Sequence, residues 1–433
     1  MRNIGIVGSG IAGLQLGLFL QQQGMSPTIY SDRSPDQIRA SRLPSLVVRF
    51  DHTLERERAL GVNHWDFPDF GVFGVRTHID LRPPIVWSGS FKRAASGVDM
   101  RIYQSTLLED FAERGGKVIQ GALHPSDVVR LSDEYDLMVI ASGRGSLTEM
   151  FRRDPVRSPY DRPQRLLTAA FYRGLDFPEP LGVIQAISPG DGEIFQAPFT
   201  SFEGRVCTIM VEAIPGRAFE AIAHMRYEND PKQFEATMLQ LLRQHAPPIY
   251  ERVNLKEFGV TRPQDVLQGS ITPTVRRGYA PLGSGKFAMA LGDVHILNDP
   301  IAAQGANMAS RCAWLMGEAL LVDRPLNETF CRETERELWE AGRAATEWTN
   351  MMLQPPPAHV LELFAVAAQN QGLADELIEN FNVPENNWKI FSDPENAATC
   401  LAKHANPDEP DRICPSVDAV ASRVPKQLQN PRL

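Results

Sequence analysis

The sequence predicts a mixed α/β fold with three parts: a Rossmann-like domain, an antiparallel β-sheet domain and a C-terminal region of helices. At the N-terminus, an apolar run leads into a glycine-rich turn and then into a helical pattern, which is typical of the first strand, turn and helix of a Rossmann-like domain. Between 165 and 215, β-branched and apolar runs are separated by turn residues, which favours antiparallel strands. From 306 to 380 the apolar spacing is mostly helical.

The glycine-rich turn at 8–13 directly follows the apolar run Ile4–Val7. In such a turn the first glycine permits the sharp bend, the second lets the backbone approach a pyrophosphate, and the third lets the helix pack closely on the strand. The helix N-terminus then offers N–H groups and the positive end of its dipole to the phosphates. We therefore predict dinucleotide binding by Gly8, Gly10, Ile11, Ala12 and Gly13.

Composition and charge exclude several classes of partner. A chain of 433 residues is long enough for two or three domains, and its formal net charge of -9 disfavours nucleic acid or an anionic membrane as the main partner. The five cysteines are widely spaced and form no CxxC motif, which favours reduced thiols. No apolar run is long enough to span a bilayer. We expect a cytoplasmic protein with neither nucleic acid nor membrane as a partner.

A second motif lies at 291–307, where a strand ends in Gly-Asp and a loop leads into another helix. A carboxylate accepts hydrogen bonds from sugar hydroxyls, and a helix N-terminus stabilises an anion. Together the two motifs resemble those of the aromatic-hydroxylase flavoproteins, which implies an FAD-binding domain like that of p-hydroxybenzoate hydroxylase (GR2 type). By this resemblance the residues that bind FAD here are Gly292, Asp293, Pro300, Gln304, Gly305, Ala306 and Asn307.

Two further groups of residues are expected at the cofactor because of the same resemblance. Arg42, Arg101 and Gln104 match positions that contact FAD in the family. At the end of the second strand, where the family usually has a glutamate that binds the adenosine ribose, this chain has Ser31-Asp32-Arg33. We expect Ser31 or Asp32 to take that role and to bind FAD more loosely, and we expect Arg33 to be a further cofactor-binding residue.

The chain to about residue 400 resembles the styrene and indole monooxygenases, the epoxidising two-component branch of these flavoproteins. The matching segments are Ile29–Arg33, Val98–Gln104, Gln304–Ser310, Trp348–Asn350 and Glu379–Glu385. The resemblance implies a transient NAD(P)H-dependent flavin reductase partner, a small aromatic substrate and a possible homodimer. It also implies that reduced FAD reacts with O2 to form a C4a-hydroperoxyflavin, which epoxidises indole or a styrene-like alkene. The family's Asp-Gly motif is absent at 141–146, as expected of an enzyme that does not reduce its own flavin.

The positions that separate styrene from indole enzymes favour indole. Ser45, Val72 and Ala95 match the indole type and Val75 nearly does, whereas Val47 matches the styrene type. Arg49 matches neither type, so another aromatic substrate stays open. Ser45 and Pro300 are the expected positioning residues of the reaction, with no general base. The expected substrate pocket consists of Ser45, Val47, Val72, Val75, Ala95, Phe195 and Val211.

The domain boundaries follow from these motifs. The FAD-binding domain is expected at 1–70, 96–160 and 280–325, and the substrate-binding β domain at 71–95 and 161–279. A helical region is expected at 326–404 and a flexible tail at 405–433.

Two other functions are compatible with the same motifs. The chain could hydroxylate a larger indole or another aromatic in biosynthesis. It could also be a non-catalytic FAD-binding module, although the loop at 304–307 serves the redox ring rather than the adenosine end. A halogenase is disfavoured because the Trp-x-Trp-x-Ile-Pro motif is missing.

Overall fold

The computed structural model describes residues 2–65, 71–178 and 182–405. Within these ranges the chain forms two main sheets, helices on their faces and a C-terminal group of helices. The final helix ends at Ala405, so the expected tail at 405–433 lies outside the described residues except for that residue.

A six-stranded sheet forms the Rossmann-like domain. Its strands follow the order β15-β16-β7-β1-β2-β6, and all neighbours are parallel except β15 and β16. The first strand is buried along its whole length, as expected of a parallel strand covered on both faces. The strands are β1 (Ile4–Val7), β2 (Thr28–Ser31), β6 (Lys117–Gln120), β7 (Leu137–Ile140), β15 (Tyr279–Gly283) and β16 (Lys286–Ala290).

Helices cover this sheet and the loops at its end. The largest core cluster joins the first strand to the two helices whose N-termini follow the glycine turn and the second motif. The helices of this part are α1 (Ile11–Gln22), α2 (Pro35–Arg39), α3 (Asp51–Leu60), α4 (Met100–Glu113), α5 (Pro125–Leu131) and α9 (Gly305–Leu321).

A nine-stranded sheet, largely antiparallel, forms the second domain. Its strands are β3 (Leu46–Arg49), β4 (Gly71–Ile79), β5 (Ile85–Asp99), β8 (Leu166–Arg173), β9 (Val183–Ser188), β10 (Gly192–Ser201), β11 (Gly204–Ala213), β12 (Gly259–Val260) and β13 (Val266–Ser270). The structure differs here from the expected boundaries, because β3 pairs with the end of β5 and joins this sheet. Residues 46–49 and 96–99 therefore belong to the second sheet rather than to the Rossmann-like domain.

The two faces of the second sheet pack against different helices. One face packs on α7 and its neighbours, and the other packs on α10 to α14 and encloses a cavity. None of the helices in the described ranges is long and apolar enough to cross a membrane. The remaining elements are α6 (Glu220–His224), α7 (Pro231–His245), α8 (Pro247–Tyr250), α10 (Glu328–Met352), α11 (Ala358–Ala367), α12 (Gln371–Glu379), α13 (Pro384–Ser392), α14 (Pro394–Ala405) and the small ribbon β14 (Thr274–Val275) with β17 (Ile296–Leu297).

Candidate active site

A cavity of about 1150 Å³ extends from the glycine-rich turn to the second sheet and the C-terminal helices. One end is formed by backbone and polar residues of the Rossmann-like domain. The other end is apolar and aromatic. The cavity therefore joins a polar half suited to a nucleotide and an apolar half suited to a hydrophobic ligand.

The three glycines of the turn differ in backbone conformation and in the space around them. Gly8 has a φ of +116°, and a Cβ there would lie 2.4 Å from the carbonyl oxygen of Ala141. A Cβ on Gly13 would lie 2.0 Å from the carbonyl oxygen of Gly8, so the helix packs on the turn too closely for any side chain. A Cβ on Gly10 would meet nothing closer than 3.9 Å, and Gly10 lines the cavity. The space beside Gly10 is thus open for a ligand.

Two helix N-termini face this cavity without a side-chain cap. The helix α1 begins after Gly10 and α9 begins after Gln304, and neither capping residue has a side-chain hydrogen bond to its helix. The first residues of both helices, Ile11 and Gly305, line the cavity. Uncapped N-termini leave backbone N–H groups for a ligand and favour negative charge.

Asp293 is the carboxylate between these two helix ends. It lies in a short 3₁₀ turn after β16, is half-buried and lines the cavity. Gly292 before it has a φ of +61° and approaches the Cβ of Ala12, so a side chain there would be strained. Burial raises the pKa of Asp293, although the charges of Arg144 and Arg276 oppose this.

At the nucleotide end, the three residues 31–33 at the end of β2 have different surroundings. Asp32 and Arg33 line the cavity, whereas the Ser31 hydroxyl is buried and is hydrogen-bonded to Ser9 at 2.8 Å. The Nε of Arg33 is 3.5 Å from Asp32 and has no hydrogen-bond partner among the described residues, and the Ser142 hydroxyl also has none there. Asp32 and Arg33, rather than Ser31, are the polar groups available to an adenosine ribose or phosphate.

These features fit FAD. One cavity contains the open space beside Gly10, the two uncapped helix N-termini and Asp293. The same cavity is lined by Arg33 and Ser142, whose side chains have unpaired polar atoms. Gln104 and Pro300 also line the cavity. The predicted cofactor residues in the cavity lining are Gly8, Gly10, Ile11, Ala12, Asp32, Arg33, Gln104, Gly292, Asp293, Pro300, Gly305 and Ala306.

Two predicted arginine contacts are not in the cavity lining. Arg42 is exposed and forms an ion pair with Glu228. Arg101 is fully buried, with its guanidinium 2.5 Å from both Asp99 and Asp265. Because the charges of Arg101, Asp99 and Asp265 pair with one another there, Arg101 links elements of the two domains and does not face a ligand.

Gln304 and Asn307 hold the loop next to the cavity and are not in its lining. The Gln304 amide donates to the carbonyl of Phe381 at 3.1 Å. The Asn307 amide oxygen accepts from the backbone N–H of Phe50 at 2.9 Å, and its nitrogen donates to the carbonyl of Val48 at 2.9 Å. Asn307 therefore fixes the start of α9 to β3 and α3.

The apolar end of the cavity is built from the second sheet and the C-terminal helices. Ser45, Val47, Val75 and Phe195, four of the expected pocket residues, line this end of the cavity. Aromatic side chains from both parts meet there, with Trp348 and Phe381 at a centroid distance of 4.9 Å. A flat aromatic ligand suits such a surface. The aromatic lining residues are Phe50, Trp87, Phe91, Phe195, Phe199, Trp348, Phe364, Phe381 and Phe391.

Three predicted pocket residues do not line the cavity. Val211 lies on the opposite face of β11, in the core formed with α7, because residues alternate between faces and Thr208 and Met210 take the cavity side. Val72 and Ala95 pair with each other and are buried in the core beside the cavity.

Arg49 is also outside the cavity lining, because its guanidinium is in a buried ion pair with Glu57 at 2.5 Å and lies over the ring of Tyr103. Only Ser45, Val47 and Val75 of the six substrate-type positions line the cavity.

The cavity wall also contains charged residues that the sequence motifs did not single out. Asp299, directly before Pro300, lines the cavity together with Arg165 and Glu193. The sequence contains one indication that Asp299 belongs to the site, because Asp299 directly precedes Pro300, which is predicted to bind FAD. The other two come from distant parts of the sequence, Glu193 from β10 and Arg165 from the position directly before β8, and only the folded sheet shows that they meet.

Asp293 provides a direct test of the cofactor end. The variant Asp293→Asn is expected to bind oxidised FAD about 10- to 100-fold more weakly, since a charge-assisted hydrogen bond contributes about 1.5–3 kcal/mol. The raised pKa of Asp293 means that the wild-type protein loses this carboxylate as the pH falls through that pKa, so its affinity falls at acid pH while that of the variant does not. Fluorescence titration with FAD measures both effects.

The control is Arg42→Ala, which removes a charged group outside the cavity and should leave FAD affinity unchanged. Equal losses in the two variants would exclude a specific contact with Asp293.

The fold and the cavity agree with comparisons to solved structures. The chain is similar to PqsL, a probable FAD-dependent monooxygenase from Pseudomonas aeruginosa, with 13% identity, a TM-score of 0.60 and coverage of 93% of this chain and 99% of that chain. It is similar to the flavin-dependent brominase Bmp2, with 16% identity, a TM-score of 0.57 and coverage of 93% and 98%. At these identities the likeness shows the fold.

Relatives by sequence define the class of this chain, an FAD-dependent monooxygenase. Residues 143–252 match the family model "Styrene monooxygenase A putative substrate binding domain". Over 398 residues the chain is 37% identical to styrene monooxygenase StyA of Pseudomonas fluorescens, which covers 91% of this chain and 96% of that protein. The chain belongs to the styrene monooxygenase family.

Proposed function

We propose that this chain is the oxygenase component of a two-component system that epoxidises a small aromatic alkene. It takes reduced FAD from a separate NAD(P)H-dependent flavin reductase in the cytoplasm and uses O2 as the oxidant. Reduced FAD, when bound, supplies the activation of O2, and the protein supplies binding, orientation and the exclusion of water.

The observation that carries the proposal is the two-part cavity. Its nucleotide end has the glycine cradle, Asp293 and two uncapped helix N-termini, and it is continuous with an apolar end lined by Val47, Val75 and aromatic rings. Pro300 also lines the cavity and has no N–H to donate. A flat apolar substrate held there is close to the cofactor and away from water.

The residues around β7 support the proposed dependence on a reductase. The segment after this strand, Ala141–Ser146, lines the cavity but lacks the aspartate that accompanies NAD(P)H use in self-sufficient hydroxylases of the resembled family. We therefore expect oxidised FAD and NAD(P)H alone to give no turnover, whereas chemically reduced FAD does.

The experiment supplies the purified protein with reduced FAD under anaerobic conditions and then adds O2 with styrene or indole. Epoxide, or its rearrangement products, is the expected result. Hydrogen peroxide alone with both substrates would favour the non-catalytic FAD-binding module. Oxidation of NAD(P)H by this chain without a reductase would contradict the two-component assignment, and turnover only with larger aromatics would favour the biosynthetic hydroxylase.

Ser45 offers a test of the preference for indole over styrene. Ser45 lines the cavity, and its hydroxyl is an acceptor for the indole N–H, a group that styrene lacks. The variant Ser45→Ala is expected to raise KM for indole about three- to tenfold, the size of one neutral hydrogen bond, and to leave KM for styrene unchanged. Steady-state kinetics with both substrates on one variant measure this. Equal changes for the two substrates would mean that Ser45 does not bind the indole N–H.

A further inference from the structure

Two carboxyl groups and one guanidinium group line the cavity near Pro300, and a third carboxyl group, that of Glu212, is buried behind this lining. Glu193 and Glu212 are directly opposite each other on β10 and β11, and Arg165 precedes β8, the other neighbour of β11. Asp299 comes from the loop before Pro300 and lines the cavity together with Arg165 and Glu193. Glu212 is fully buried.

The only guanidinium of this group is committed to Glu193. Its Nε and Nη2 atoms donate to the two carboxylate oxygens of Glu193 at 2.7 and 2.9 Å. Its Nη1 atom donates to the carbonyl oxygens of Gln164 and Leu353. Arg165 therefore pairs with one carboxylate, and Glu212 and Asp299 have no cation hydrogen-bonded to them among the described residues.

Glu212 and Glu193 are cross-strand neighbours and project to the same face of the sheet, and Glu193 and Asp299 both line the cavity, so Glu212 and Asp299 lie on the same side of the sheet. The pKa of each of these two carboxyls responds to the other. Both oxygens of Glu212 and the Oδ2 atom of Asp299 are buried without a donor in the described part of the chain, whereas Oδ1 of Asp299 accepts from the Ile301 N–H at 3.2 Å. Two adjoining ionised carboxylates out of water repel each other, and a proton between them replaces the repulsion with an O–H···O hydrogen bond.

The acidities agree with this arrangement. Burial and the adjoining Asp299 carboxylate raise the pKa of Glu212 well above its usual range. Burial also raises the pKa of Asp299 to about 6, although the Ile301 N–H opposes the change. The charged groups that face the pair are Glu193, which favours the protonated form, and Arg165, which opposes it.

We propose that Glu212 and Asp299 share one proton, and that Asp299 can turn this proton from Glu212 toward the cavity, where it would be a hydrogen-bond donor to the oxygen atom left behind when the other oxygen atom of the oxidant passes to the substrate. Asp299 is the catalytic member because it touches the cavity, and Glu212 is a positioning residue that keeps the proton available. A donor fixed in a dry cavity stabilises charge that develops on an oxygen atom. The inference rests on the proposed oxygenase function.

Proton sharing is tested on the protein without flavin, by infrared difference spectroscopy of the carboxylic-acid C=O stretch at neutral pH. We expect this band in the wild-type protein, its loss in Glu212→Gln and its shift in Asp299→Asn. The control Asp375→Asn removes a buried carboxyl whose partners are the Ser90 N–H and the Gln371 amide, so the band of the pair should remain. A wild-type protein without the band, or a band unchanged in both variants of the pair, would overturn the inference.

The role of Asp299 is tested by the epoxide formed per reduced FAD consumed, measured across pH. Glu212→Gln leaves Asp299 ionised at neutral pH, so we expect a yield about tenfold lower that recovers as the pH falls and Asp299 gains its own proton. Asp375→Asn should follow the wild-type profile. Coincident profiles of Glu212→Gln and wild type would overturn this role.

The two proposals fail in different ways. If the wild-type protein forms no epoxide at any pH, the proposed function fails and the role of Asp299 fails with it, whatever the infrared result. If epoxide forms but the infrared band is absent, only the proton-sharing inference is overturned.

Discussion

Gly10→Ala is expected to weaken FAD binding at least about tenfold without loss of stability, whereas Gly13→Ala is expected to destabilise the fold by about 3 kcal/mol. A methyl group on Gly10 meets nothing within 3.9 Å in the protein, but it fills the space that a pyrophosphate needs. A methyl group on Gly13 would lie 2.0 Å from the carbonyl oxygen of Gly8. Thermal unfolding and FAD titration of both variants separate the two effects.

The two glycines are matched controls for each other, since they lie three positions apart in the same turn. If Gly10→Ala lowered the stability of the protein without FAD, the space beside Gly10 would not be open. If it bound FAD as tightly as the wild-type protein, the cofactor would not pass that side of the turn.

Arg101→Met is expected to lower the free energy of unfolding by about 3–5 kcal/mol, because it leaves the buried carboxylates of Asp99 and Asp265 without this partner. Burial opposes ionisation of Asp265, but hydrogen bonds from Arg262, Thr261 and Arg101 outweigh it and lower the pKa of Asp265. A lowered pKa means stability that is present above the unfolded-state pKa and lost as pH falls through the folded-state pKa. The difference between wild type and variant should therefore shrink at acid pH.

Denaturant unfolding at several pH values measures this difference. Arg42→Met is the control, because its exposed ion pair with Glu228 contributes less than about 1 kcal/mol. Folded Arg101→Met should bind FAD as the wild type does. A variant with normal stability and weak FAD binding would restore Arg101 as a cofactor contact.

The parts of the site that the sequence predicts well are those in which function depends on local backbone. The glycine turn, the helix start at Gly305 and the position of Asp293 after a strand are each encoded within a few neighbouring residues. Such patterns need no long-range information.

The parts of the site that the sequence does not predict depend on contacts between residues that are far apart in the chain. Arg101 pairs with Asp265, which is 164 positions away, so its burial cannot be seen from its own segment. Val211 is apolar on a strand with a core on each face, and apolar character alone does not tell which face it occupies. The adjoining carboxyls of Glu212 and Asp299 likewise become visible only when the loop is placed against the sheet.

The most direct test of the central claim is a single turnover with isotopically labelled O2. The protein is loaded anaerobically with reduced FAD and exposed to the labelled gas with styrene or indole, and the product is analysed by mass spectrometry. We predict one labelled oxygen atom in the epoxide or its rearrangement product. Hydrogen peroxide with unlabelled, unreacted substrate would contradict oxygen transfer in this cavity.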